Sequence, residues 1–130
     1  MNYLKYTLIV FLVMSLTNCV QKRHLKTVTF KLDMSNVENL GQVGIRGNFT
    51  NNSWRETLYM SDDNNDSIYE LTLERETAFN SIEFKFVNQD EEFELEGQDN
   101  RTITFEYKPE TIVYEAVFNE PNGKQTSIKP

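Results

Sequence analysis

The chain is predicted to be all-β, an antiparallel immunoglobulin-like sandwich of seven or eight strands. Three observations carry that expectation. First, Val28, Phe30, Leu32 and Met34 alternate with Thr29, Lys31 and Asp33, the period of a strand with one buried and one wet face. Second, similar segments recur at 42–47, 57–61, 68–74, 82–88, 92–95, 102–105 and 112–118, at roughly the ten-residue spacing of sandwich strands. Third, no long stretch has helical periodicity.

Turn-forming clusters separate these segments: Ser35-Asn36, then 48–53, 62–67, 89–90 and 97–100. The inward set comprises Val28, Phe30, Leu32, Val43, Ile45, Leu58, Met60, Tyr69, Leu71, Leu73, Ile82, Phe84, Phe86, Ile103, Phe105, Tyr114, Ala116 and Phe118. That is enough apolar surface for one core without disulfides. Residues 27–119 are expected to form this domain, and 120–130 a frayed polar tail.

Composition narrows the function classes. A chain of 130 residues is one domain, and 38% hydrophobic with 12% aromatic residues is a globular profile. The net charge of -7 argues against a nucleic-acid partner, because phosphate binding needs clustered Lys and Arg. One cysteine and one histidine exclude a disulfide framework, a Cys-based zinc site and a two-His metal motif. A Ser–His–Asp triad would have to use His24, outside the expected domain. No Gly-rich phosphate loop opens a helix. The expectation is a non-enzymatic module without a cofactor.

The N-terminus reads as an address. Lys5 precedes an apolar run from Thr7 to Leu16, which is short for a bilayer span and suited to export. Leu16-Thr17-Asn18-Cys19 resembles a bacterial lipoprotein signal, with Asn18 where a smaller residue is usual. The resemblance implies a signal at 1–18, palmitoyl-type acylation of Cys19, and a lipid anchor in the cell envelope, at the outer membrane of a Gram-negative bacterium. The alternatives are an ordinary export signal with Cys19 a bystander, and an uncleaved anchor, which the short apolar run disfavours. The basic stretch 19–26 is read as a tether.

Four pieces stand in an order that matters. They are Val28-Thr29-Phe30-Lys31-Leu32; Val43-Gly44-Ile45-Arg46-Gly47-Asn48-Phe49 with Trp54 beyond; Ile68 to Leu73 followed by Phe84-Lys85-Phe86; and Leu95-Glu96-Gly97-Gln98-Asp99-Asn100-Arg101. Together they resemble the starch-binding-type carbohydrate-binding modules (CBM20) and their glycogen-binding relatives. The resemblance implies a polysaccharide or oligosaccharide partner, α-glucan-like, and a hydrolase as a further partner. It implies Trp54 as an aromatic platform, Lys85 as a polar strand residue, and Glu96 and Asn100 as a polar pair on the last loop. Sugar C–H faces stack on flat rings, and ring hydroxyls take polar partners. Where the family has a second Trp this chain has Leu95, and Phe93 has the parity to substitute.

Each residue also has a plainer role. Trp54 is a platform or a lid on the sandwich. Lys85 is a ligand group or an outward edge-protecting charge. Asn100 caps a turn, and Arg101 closes a loop through an ion pair. Asp62, Asn64 and Asp66 have alternate oxygens, yet a calcium loop needs a central Gly and a Glu at its twelfth position, where Leu73 stands. A solvated hairpin turn is expected there. The rival to glycan binding is a structural or protein-interaction domain on the same fold.

Overall fold

The computed structural model describes residues 2–7 and 19–129. Residues 2–7 are helical, and the rest of the expected signal at 1–18 lies outside the described residues. Among those described, no helix is long and apolar enough to cross a membrane. Nine strands follow: β1 (His24–Asp33), β2 (Gly44–Gly47), β3 (Leu58–Tyr59), β4 (Ile68–Thr77), β5 (Ser81–Asn88), β6 (Glu92–Phe93), β7 (Arg101–Thr104), β8 (Glu110–Val117) and β9 (Lys124–Ile128).

They form two sheets. The first has the order β4-β1-β8-β9, and the second β3-β2-β5-β6, with β7 also on β5. The sheets meet over the expected core. Phe30 and Leu32 of β1, Ile45 of β2, Phe84 and Phe86 of β5 and Ile103 of β7 are fully buried. Phe30 sits edge-on to Phe84, with ring centroids 5.2 Å apart. Of the expected inward set, Leu58, Tyr69, Leu71 and Leu73 are only partly buried against this core. All four lie on β3 or β4, each an edge strand of its sheet.

Four expectations need correction. The sandwich is not purely antiparallel, because β1 pairs with β8 in parallel. The chain crosses the second sheet between them, which supplies the long connection that a parallel pair requires. The tail is not frayed throughout: residues 124–128 form β9, antiparallel to β8. Its five side chains are all exposed, so no alternation marks it. The Gln125 amide then imitates a strand edge: Nε2 donates to the Thr104 carbonyl at 2.8 Å and Oε1 accepts the Thr104 N–H at 3.2 Å.

The tether also ends early. β1 begins at His24, and Lys26 is buried, its ammonium donating to the Glu106 carbonyl at 2.7 Å, the Lys108 carbonyl at 2.5 Å and Glu110 Oε2 at 2.6 Å. A buried ammonium with three acceptors is satisfied, so a lysine that reads as tether charge becomes part of the fold. Finally, the segment 92–95 is a strand only over Glu92–Phe93. Leu95 has φ 50 and is buried, which ends the pairing. β6 and β7 are thus one edge of β5 interrupted by the loop 94–100.

The turn at 62–67 is held by its own carboxylates. Asp62 accepts the N–H groups of Asp66 at 3.0 Å and Ser67 at 2.9 Å. These oxygens serve the backbone, as expected of a solvated turn.

Candidate functional site

The outer face of the second sheet carries the candidate site. Register partners share a face, so pairing alone lays out its rows. Gly44 of β2 faces Tyr59 of β3 on one side and Val87 of β5 on the other, and Val87 faces Phe93 of β6. One row therefore reads Tyr59, Gly44, Val87, Phe93. Three strand spacings separate its aromatic ends, about 14 Å. Tyr59 is 51% exposed and Phe93 is 38% exposed. Between them Gly44 has no side chain. A Cβ there would run into the Thr57 side chain and the Leu58 carbonyl, so the close approach of β3 requires glycine.

The next row contains Arg46 opposite Lys85. Arg46 lies over the Phe93 ring, its guanidinium carbon 5.5 Å from the centroid. It donates through Nε to Thr57 Oγ1 at 2.7 Å and through Nη2 to the Asp90 carbonyl at 2.9 Å. Asp90 in turn accepts the Tyr59 hydroxyl at 2.9 Å. That carboxylate, through its hydrogen bond above all, holds the Tyr59 phenol above its ordinary pKa. The turn that aims Asp90 has two successive non-glycine residues in left-handed backbone, Gln89 (φ 51) and Asp90 (φ 68). Such left-handed pairs are what a tight hairpin between β5 and β6 requires.

The sequence-derived candidates fall into three groups. Lys85 and Phe93 share the outer face, on adjacent strands. Glu96 and Asn100 are exposed on the loop beside them. Asn100 borders a surface depression of about 380 Å³, shared with Gln98, Arg101 and Pro121. Lys85 Nζ donates to the carbonyls of Leu95 at 2.8 Å and Gln98 at 2.9 Å, so it braces this loop. Trp54 stands apart: its backbone N–H donates to the Gly47 carbonyl at 2.9 Å, and Gly47 lies three residues along β2 from the aromatic row, about 10 Å. Its ring is half-buried and its φ is 63. Leu95, where the modules that the sequence resembles have a second Trp, is buried and offers no surface.

Sequence reasoning missed Tyr59, Arg46 and Asp90. Parity contained the first two. Tyr59 lies between the inward Leu58 and Met60, and Arg46 follows the inward Ile45. Nothing local marked Asp90, which acquires its role only when the β5–β6 turn meets β3. Arg101 does close a loop through an ion pair, as expected, with Glu94 as partner. Cys19 is a free, exposed thiol. No group of three or more His, Cys, Asp or Glu side chains suited to a metal is found among the described residues.

No protein-family model matches the chain. No curated protein matches it either. Among solved structures it is similar to the CBM25-2 module of a beta/alpha-amylase from Paenibacillus polymyxa, 16% identical, with a TM-score of 0.49 over 82% of this chain and 96% of that one. It is similar in the same degree to the CBM25-1 module of that enzyme, 18% identical, TM-score 0.49, over 82% of this chain and 95% of the module.

Proposed function

We propose that this protein is a non-catalytic glycan-binding module held at the cell envelope by acylated Cys19. One observation supports it most: the register row that exposes Tyr59 and Phe93 on one outer face, with the buried Gly44 and Val87 between them and Arg46 and Asp90 bridging the two rings. Two ring systems about 14 Å apart suit several linked sugar units of an extended chain. Arg46, Thr57, Asp90 and Tyr59 supply donors and acceptors at the rim. The α-glucan class comes from the family resemblance of the sequence. A shallow face buries little of its ligand, so each site binds weakly.

Affinity electrophoresis on a panel of α- and β-glucans tests this reading, with Tyr59→Ala and Phe93→Ala beside the parent protein. Retardation by at least one α-glucan, lost in both variants, is the expected result. Absence of retardation on every glycan removes the proposal. Labelling with a fatty-acid precursor, with and without Cys19→Ser, tests the anchor independently.

A second reading is a protein-interaction domain of the envelope, with a hydrolase as one such partner. It is favoured by Arg46 lying on one face of Phe93, and by Lys85 bracing a loop. Both residues are then part of the scaffold, and retention of the fold without glycan retardation supports this alternative.

A further inference from the structure

The two ends of the sandwich differ in chemistry. One end gathers the start of β1, the β4–β5 turn, the β7–β8 loop and the end of β9, because His24 pairs with Thr77, Lys26 with Glu110 and Thr111 with Ile128. It exposes Phe79 at 68%, Tyr107 at 63%, and also Leu25 and Ile128. Around them stand Lys22, Arg23, Lys108 and Lys129, all exposed, against the exposed carboxylates of Glu74, Glu76 and Glu106, the last of them paired with Lys108. Glu110 is buried against Lys26. The opposite end holds the turn with Asp62, Asp63 and Asp66 and the turn with Asp90 and Glu91. In a chain of net charge -7, four exposed cations thus stand at one end with the exposed aromatic and aliphatic side chains, while Lys31 and Lys124 lie toward the other.

The N-terminal segment arrives at that same end. The Lys22 N–H donates to the Tyr107 hydroxyl at 3.0 Å, and the Arg23 guanidinium donates to the Glu76 carbonyl at 2.6 Å. The His24 ring stands edge-on to Tyr107, with centroids 4.6 Å apart. Cys19 is three residues before Lys22, so a lipid on its sulfur sits within about 10 Å of this docked segment. A floating tether would leave the domain free to tumble. This one is fastened, and it is too short to keep the end face away from a bilayer.

We infer that this end of the sandwich is a membrane-seating surface. Phe79, Tyr107, Leu25 and Ile128 enter the interfacial layer, and Lys22, Arg23, Lys108 and Lys129 face anionic lipid head groups. Aromatic rings and snorkelling cations are the side chains that the interface favours. The acidic end then points away from the lipid, which like-charge repulsion also requires. The aromatic row on the second sheet stays accessible, since it lies on a lateral face toward the acidic end. The inference rests on the proposed anchoring at Cys19.

The test uses the full chain as processed and acylated in its host. It is reconstituted into vesicles of brominated phosphatidylcholine, with or without phosphatidylglycerol. In a Trp54→Phe background, Phe79→Trp places a reporter at the seating end and Asn64→Trp one at the far end. Both positions are exposed, and because Phe79 borders a cavity that Val28, Phe30 and Ile82 also line, thermal melts check that each variant keeps the fold. The expected result is severalfold stronger bromolipid quenching for Phe79→Trp than for Asn64→Trp. The contrast should grow with phosphatidylglycerol and shrink in the triple variant Lys22→Glu, Arg23→Glu, Lys129→Glu. Co-sedimentation with vesicles is read in parallel. Protein that co-sediments with equal quenching at both ends overturns the seating surface and leaves the anchor standing. Protein that stays in the supernatant overturns both.

Discussion

Glu94 and Arg101 are locked in a two-pronged ion pair, Nε to Oε1 at 2.6 Å and Nη2 to Oε2 at 2.9 Å, with both side chains buried. The pair gathers four pieces of chain. Glu94 also accepts the N–H groups of Phe86 at 3.0 Å and Asn119 at 3.1 Å. Arg101 also donates to the carbonyls of Val117 at 3.1 Å and Glu120 at 2.6 Å. It therefore fixes the loop 94–100 and the exit of β8 relative to β5.

Removing one member strands the other charge in the core. Arg101→Met is expected to destabilise the fold by about 3–5 kcal/mol. Arg101→Lys should recover only part of this, since an ammonium cannot form the planar fork. Urea unfolding of the three proteins measures the difference.

Lys26 and Lys31 lie on the same strand and make opposite predictions. Lys26 is buried against Glu110, whereas the Lys31–Glu70 pair at 2.9 Å is largely exposed. Lys26→Met should cost about 3 kcal/mol, because Glu110 loses its counter-charge. Lys31→Met should stay within about 1 kcal/mol. Equal losses in denaturant titrations would contradict the assignment of Lys26 to the core.

The aromatic row is tested by affinity. Tyr59→Ala and Phe93→Ala should each weaken binding of the retarding glycan by about tenfold, close to 1.4 kcal/mol. Leu95→Ala is the contrasting change: the side chain is buried, so the loss should appear in stability first. Calorimetric titration beside thermal melts separates the two effects.

Asp66 gives a pH signature. Its Oδ1 accepts the Ile68 N–H at 2.9 Å and its Oδ2 the Asn64 amide at 3.0 Å. The Ile68 N–H above all holds this carboxyl below its ordinary pKa. A lowered folded value means that the ionised form is the stabilising one. Its contribution is complete above the unfolded value of about 4, and is lost as pH falls through the lower folded value. Asp66→Asn should therefore show a shallower fall in melting temperature than the parent from about pH 5 to about pH 2.

The Gln125 clip predicts local behaviour. Gln125→Ala removes both hydrogen bonds to Thr104 and should cost about 1 kcal/mol. Hydrogen exchange at the Thr104 amide should rise, while exchange in β1 should be unchanged. Exchange that is unaltered at Thr104 would show that the clip contributes nothing.

The sequence by itself determined which side of each strand is wet. Alternation is a property of the pleated backbone, so Phe30, Ile45, Phe84 and Phe86 were legible as core before any fold was known. The same parity exposed Lys85 and Phe93. Tertiary structure alone decided which strands became neighbours and in what register. Register results from packing and chain closure over long separations, and no local window contains it. Hence Tyr59 and Phe93 joined one row while Trp54 remained outside it. Hence too a glutamate next to an exposed phenylalanine became a buried counter-ion, because only the arrival of Arg101 made its burial affordable. The polar segment at 124–128 became a strand for the same reason: β8 offered it an edge, and backbone hydrogen bonds need no pattern of side chains to form.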